Sequence, residues 1–345
     1  MTYQREFSDV VNIGVVGTGK HCYRNILPAL HYLPVRLKAG CDVNGELAEA
    51  TARQFGCRAY TDTREMYEKE ELDAVLLCVS PRLHPRLTCE ALEAGLHVWM
   101  EKPAAMRVHE VDEMIRCRND KVVVVGYKKA FMPSTDKALE IIQSEKYGNL
   151  QSILAVYSMY LPENGEKALE EGTPTEWLAN GCHPLSLMLA AGGAPSAVTA
   201  YAGGKGGLCI IEFENGVLGN FHFASGPQPV ESYRFFGRNW HLEIENSLRV
   251  KLQRGIPFEY NRTFSYIPQG DDSGAVVWEP QNCLATLENK ALFTQGMYQE
   301  LKYFCDCVLE GKPAVRGSLE FARNVTAVYE AVLRSGGRTV AIDSI

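Results

Sequence analysis

Between Val10 and Gly126, short unbroken apolar runs alternate with amphipathic segments. The runs are Val10–Val16, Arg36–Cys41, Ala74–Val79, His97–Met100 and Val122–Val125. Between them, Glu46–Phe55, Leu83–Ala94 and His109–Cys117 space their apolar residues as one face of a helix does. Continuous apolar strands alternating with helices predict a parallel sheet covered on both faces. The expected first domain is a doubly wound α/β unit over residues 1–126.

Beyond about Leu150 the pattern alternates instead. Ser152–Tyr160 reads as a strand, and Leu208–Phe213 and Val217–Phe223 flank Glu214-Asn215-Gly216, a hairpin signal. Glu231–Phe236 and His241–Ile244 continue the series. Two amphipathic helices follow, over Met297–Glu310 and Ser318–Arg334, the second stopped by Ser335-Gly336-Gly337. This predicts an α+β domain over 127–345, an open, mainly antiparallel sheet with helices on one face. The pattern assigns nothing to residues 255–295.

With 345 residues the chain is long enough for two such domains. Its 35 basic and 42 acidic residues leave a net charge of -7, which argues against a nucleic-acid clamp. No apolar stretch approaches the roughly 20 residues of a membrane-spanning helix. Met1–Asp9 is polar and lacks the apolar core of a signal peptide, so a cytoplasmic location is expected. The eleven cysteines include no Cys-x-x-Cys and sit partly in apolar runs, which predicts buried reduced thiols and no metal site.

The first run ends in Gly17-Thr18-Gly19-Lys20-His21-Cys22 and opens a helix ending near Leu30. Gly17 and Gly19 fit the first two positions of a dinucleotide fingerprint, with Cys22 at the third. One glycine permits the tight turn; the other lets the backbone approach a pyrophosphate at the helix N-terminus. The next run ends at Asp42, 23 residues beyond Gly19, placed to accept hydrogen bonds from ribose hydroxyls. A carboxylate there favours NAD over NADP. Lys20, Arg24 and Arg53 are the counterweight.

Further motifs are Pro81-x-x-His84, Ala94-Gly95-x-His97-Val98, Glu101-Lys102-Pro103, and Gly126-Tyr127-Lys128-Lys129-Ala130-Phe131-Met132-Pro133. Gly181-Cys182-His183 stands in the second half. With the glycine loop and Asp42, these resemble the Gfo/Idh/MocA oxidoreductase family. The resemblance covers residues 11 to about 190 by motif and the rest by architecture. It implies that Ser80, Pro81, His84 and Glu101 join Gly17, Thr18, Gly19, Lys20, His21 and Asp42 in holding the cofactor. It places Lys102 beside the reacting carbon as the acid/base residue, and it implies a homodimer or homotetramer.

Pro184 is best tolerated in the first turn of a helix. His183 is therefore expected at a helix N-terminus, where the dipole disfavours its charged form. The alternative is a helix from near Thr175, kinked at Pro184. The resemblance gives His183 to the substrate, as a second catalytic residue whose neutral imidazole binds the hydroxyl or accepts its proton, together with Tyr127, Lys129, Tyr160 and Asn180. Many relatives carry Asp four residues before this His and three after it; this chain has Ala179 and Ser186. Lys102 is therefore the sole strong acid/base candidate, with Glu163–Glu176 a solvated loop or the source of a substitute carboxylate.

The expected function is NAD-dependent hydride transfer at a hydroxyl or keto carbon of a sugar, cyclitol or related polyol. The substrate is expected between the two domains. The alternatives are an NADPH-dependent carbonyl or imine reductase, and a catalytically idle nucleotide-binding sensor.

Overall fold

The computed structural model describes residues 6–203, 206–224, 226, 231–255, 260–262, 274–284 and 290–345. The chain forms two compact units. One takes Met1–Lys128 and Gly296–Thr326; the other takes Lys129–Gln295 and Ala327–Ile345.

The first unit holds six parallel strands: β1 (Val11–Val16), β2 (Val35–Cys41), β3 (Arg58–Tyr60), β4 (Ala74–Leu77), β5 (His97–Glu101) and β6 (Val123–Gly126). Their order is β3-β2-β1-β4-β5-β6, the doubly wound topology expected. Every residue of β4 and β6 is buried, as strands covered on both faces must be. A wide helical turn at Cys22–Ile26 leads into α1 (Leu27–Leu30). The other covering helices are α2 (Gly45–Phe55), α3 (Thr63–Lys69), α4 (His84–Glu93) and α5 (Val108–Cys117). Asn44 caps α2 by accepting from the amide of Glu46, and Asp62 caps α3 by accepting from that of Glu65.

In the second unit come α6 (Pro133–Ile142), β7 (Leu150–Ser158), α7 (Gly165–Glu170) and α8 (Glu176–Gly192). Then follow β8 (Pro195–Gly203), β9 (Gly206–Phe213), β10 (Leu218–Ala224), β11 (Glu231–Gly237), β12 (Trp240–Glu245), β13 (Arg249–Gln253) and β14 (Ala275–Trp278). The single turn α9 (Ala291–Thr294) precedes α10 (Met297–Glu310), α11 (Leu319–Ser335) and β15 (Thr339–Ala341). The nine strands run β14-β13-β12-β11-β7-β10-β9-β8-β15. Only β10 and β7 pair in parallel; the other ladders are antiparallel. Alternate residues face one way: Ile153, Ala155, Phe221, Phe223, Tyr233, Phe235, Leu242 and Ile244 are buried. The helices α6 and α8 lie on this sheet.

Three expectations need correction or refinement. Helix α10 belongs with the first unit, not with the sheet that precedes it, because it lays Met297, Leu301 and Phe304 against β1, β5 and β6. Cys89 on α4 and Cys117 on α5 form a disulfide, since the two helices run side by side and bring their Cα atoms to 5.5 Å. The remaining nine cysteines are free; six are buried as expected, and Cys57, Cys78 and Cys283 are only partly buried. About half of 255–295 lies outside the described residues, but Ala275–Trp278 is a strand on the sheet edge.

Among the described residues no helix is long and apolar enough to cross a membrane, and no cluster of His, Cys, Asp and Glu could hold a metal.

Candidate functional site

The carboxyl ends of β1, β2 and β4 border a cavity of about 540 Å³ lined by Gly17, Gly19, Asp42, Val79, Ser80 and Leu87. Its glycines have different duties. Gly17 has φ +84°, and a Cβ there would lie 2.4 Å from the carbonyl oxygen of Cys78. The turn therefore admits no side chain. Above Gly19 nothing lies within 4 Å of an added Cβ. Its backbone is bare toward the cavity, the form a pyrophosphate cradle requires. Thr18 between them is fully buried, while Lys20 is exposed.

Asp42 follows β2, and its carboxylate is fixed by two backbone amides. One oxygen accepts from Thr18 N and the other from Asn44 N, each at 2.9 Å. A carboxylate has about four lone-pair sites, so acceptor capacity remains for a ribose diol. Two arginines at the same cavity were not foreseen. Arg86 and Arg64 both turn to Glu90, at 3.1 and 3.5 Å. Arg53 pairs with Glu49. The single carboxylate of Glu90 is thus shared by two arginines.

At the next strand end, Glu101 is buried and its carboxylate meets His21 Nε2 at 2.7 Å. The other oxygen of Glu101 accepts from the amide of Lys102 at 3.2 Å. Lys102 is half-buried, and the peptide joining it to Pro103 is cis. Ser80 and Pro81 form the turn into α4, closed by the Leu83 amide on the Ser80 carbonyl.

His84 does not reach the cofactor side. It is fully buried, and its Nδ1 lies 3.0 Å from the carbonyl of Pro103. A carbonyl only accepts, so Nδ1 carries the proton and Nε2 is bare. Burial pushes the imidazole down to about 4. A neutral ring therefore anchors the turn behind Lys102.

Tyr127 was expected to line the substrate side. It is fully buried, with its ring 5.9 Å from that of Phe321 in the first unit.

In the second unit, the expectation for Lys129 also fails. Its ammonium is buried, 2.6 Å from Glu231 and 2.8 Å from Ser247 Oγ. Tyr233 donates to the other oxygen of Glu231 at 2.8 Å. Burial pushes the Glu231 carboxyl up, but Lys129, Ser247 and Tyr233 together hold it below its ordinary value. Lys129 is a core ion pair, because a lysine at the start of a buried segment needs a counter-charge.

His183 lies inside α8, not at its start, because Thr175 caps the helix by accepting from Leu178 N. The alternative of a helix from near Thr175 holds: Pro184 stands mid-helix and takes away the amide that would bond the Asn180 carbonyl. The dipole argument for a neutral His183 lapses with it. Ser186 donates to the backbone carbonyl of His183 at 2.8 Å, so it does not replace the relatives' Asp. Asn180 is half-buried and Tyr160 exposed. Half of the acidic stretch Glu163–Glu176 is helical, as α7 and the first residue of α8, and the rest is loop.

Residues 11–128 match the model of the Gfo/Idh/MocA oxidoreductases, described as an oxidoreductase family with an NAD-binding Rossmann fold. A dTDP-3,4-didehydro-2,6-dideoxy-alpha-D-glucose 3-reductase from Saccharopolyspora spinosa is 26% identical over 152 residues, 43% of this chain and 46% of the relative. A myo-inositol 2-dehydrogenase from Thermotoga maritima is 27% identical over 147 residues, 40% of this chain and 42% of the relative. The chain spans about half the length of the curated relatives it matches. A dehydrogenase from Chromobacterium violaceum shares the fold at TM-score 0.80 and 20% identity, over 94% of both chains.

Proposed function

From a chain whose residues 11–128 match the model of the Gfo/Idh/MocA oxidoreductase family, we propose an NAD-dependent oxidoreductase acting on a hydroxyl of a sugar, cyclitol or related polyol. The observation that carries this reading is the single cavity where Gly17, Gly19, Asp42 and Ser80 meet, one strand away from Glu101 and Lys102.

The residues present fit a dinucleotide. The bare backbone at Gly19 takes the pyrophosphate, and the amide-fixed carboxylate of Asp42 takes the ribose hydroxyls. NAD is preferred because the Asp42 carboxylate repels a 2′-phosphate. A nicotinamide cofactor held there would supply hydride exchange with the substrate carbon. Lys102 takes the hydroxyl proton during oxidation and returns it during reduction. Glu101, fixed by His21 and by the Lys102 amide, sets the corner from which Lys102 works. His84 holds that corner from behind through Pro103. His183, Asn180 and Tyr160 keep their proposed place on the substrate.

The open face of the second sheet supports a homo-oligomer, because Tyr201, Leu208 and Leu218 are exposed on it. The occupant proposed is a second copy of the chain, and sedimentation of the purified protein tests it.

The test of function is formation of reduced cofactor from NAD and from NADP, over a panel of sugars, glycosides and cyclitols, beside Lys102→Met. Turnover with NAD by the wild type alone supports the reading. Equal rates in both proteins remove Lys102 as the proton-transfer residue. Tight NAD binding without turnover across the panel favours the sensor.

A further inference from the structure

One buried acid of the first unit has no part in the chemistry above. Glu300 projects from α10 and is 1% exposed. Neither of its carboxyl oxygens has a hydrogen-bond partner among the described residues.

Its location is fixed by the sheet. Glu101 on β5 lies opposite Gly126 on β6, and Trp99 shares the Glu101 face of β5. A Cβ added to Gly126 would lie 2.6 Å from the Trp99 ring and 3.2 Å from Glu300 Oε1. The missing side chain at 126 thus makes room for the Glu300 carboxyl, level with Glu101 and beside the indole.

The charges around it are few. Of the elements against α10, β1, β6 and α1 bring no titratable side chain. Strand β5 brings Glu101, with His97 at its far end, and the strand ends bring Lys102 and Lys128. On α10 itself, Tyr303 lies one turn away. Burial pushes the Glu300 carboxyl well up, Glu101 adds to that, and Lys128 and Lys102 oppose it. An uncompensated buried carboxylate is costly, so the neutral acid is the favoured form.

We propose that Glu300 is a positioning residue for the Glu101–Lys102 corner, holding a proton that must stay in place for Lys102 to act as a base. With that proton on, the corner carries one carboxylate, that of Glu101, already engaged by His21. With it off, a second negative charge stands behind the first. It repels Glu101 from the position that His21 and the Lys102 amide give it, and oxidation slows as the medium becomes alkaline. This inference rests on the dehydrogenase reading above.

The test compares the wild type with Glu300→Gln, Glu300→Leu and Glu300→Asp across neutral to alkaline pH. Infrared difference spectra against Glu300→Gln, taken without substrate, should show the carbonyl stretch of a protonated carboxylic acid that disappears on alkalinisation. Oxidation by the wild type and Glu300→Asp should fall about tenfold over that same interval, as the repelled Glu101 no longer sets the corner from which Lys102 works. Glu300→Gln and Glu300→Leu should lack that fall. If no substrate is turned over, the dehydrogenase reading fails separately. The positioning role is then read on NAD binding, which should change over the infrared interval in the wild type and stay level in Glu300→Gln. Absence of the protonated band overturns the proposal. So do superimposable pH profiles in wild type and Glu300→Gln, or a uniform loss with unaltered shape, which marks a purely structural role.

Discussion

The Nδ1–H of His84 donates to the carbonyl of Pro103 at 3.0 Å, tying the start of α4 to the turn that carries Lys102, nineteen positions away in sequence. The bond is wholly buried and needs a neutral ring. The folded imidazole titrates at about 4, against 6.5 for the unfolded chain. Between those values the unfolded state binds more protons, so stability is full above about pH 6.5 and declines as pH falls toward 4. The loss over that interval is roughly 3 kcal/mol. His84→Gln removes the titration. Its stability at neutral pH should be about 1–3 kcal/mol lower through the disturbed buried bond. Its slope against pH should be flatter, as urea unfolding at several pH values will show; parallel slopes would contradict the assignment.

Gly17 and Gly19 should separate stability from binding. Gly17→Ala forces a Cβ to 2.4 Å from a backbone oxygen at positive φ, so it lowers the melting temperature. Gly19→Ala meets nothing within 4 Å, so the fold should be unharmed. Its methyl group stands where the pyrophosphate approaches, and NAD binding should weaken at least about tenfold, some 1.4 kcal/mol. Calorimetry on both variants, with and without NAD, distinguishes the two duties.

Asp42→Ser retains an acceptor for the Thr18 amide and removes the charge. NAD affinity should drop and NADP affinity rise, narrowing the ratio of their dissociation constants by about tenfold or more. An unchanged ratio would transfer cofactor selection to other groups around the cavity.

Lys129→Met strands the Glu231 carboxylate in the core of the second unit. Breaking one half of a buried pair costs about 3–5 kcal/mol. Adding Glu231→Gln should recover a large part of that, because the stranded charge is gone. Unfolding of both single variants and the double variant closes the cycle. Additive losses would mean that the pair is not coupled.

The first unit was largely legible because its strands are covered on both sides and show as unbroken apolar runs. The exception is β3, three residues with only Tyr60 buried, too short and too exposed to leave a pattern. The glycine loop and Asp42 were legible because their spacing is local. Lys129 was misread because its partner Glu231, at the start of β11, is 102 positions away and meets it only in the folded unit. His84 and Tyr127 lie in recognisable motifs, yet they support the site from within. A motif gives proximity to the chemistry, not the direction of a side chain. Pro184 misled in another way: α8 starts at Thr175 with a good cap and an apolar face, enough to offset one missing amide.

The return of α10 to the first sheet bears on how the molecule is made. Synthesis runs from the N-terminus, and domains tend to fold as they emerge. Here all six strands of the first sheet leave the ribosome by Gly126, but Met297, Leu301 and Phe304 follow some 170 residues later. During that interval the face of β5 and β6 bearing Trp99 has no native cover. The nascent chain therefore carries an unfinished apolar surface through most of its translation, and completion of the nucleotide-binding half waits for the tail.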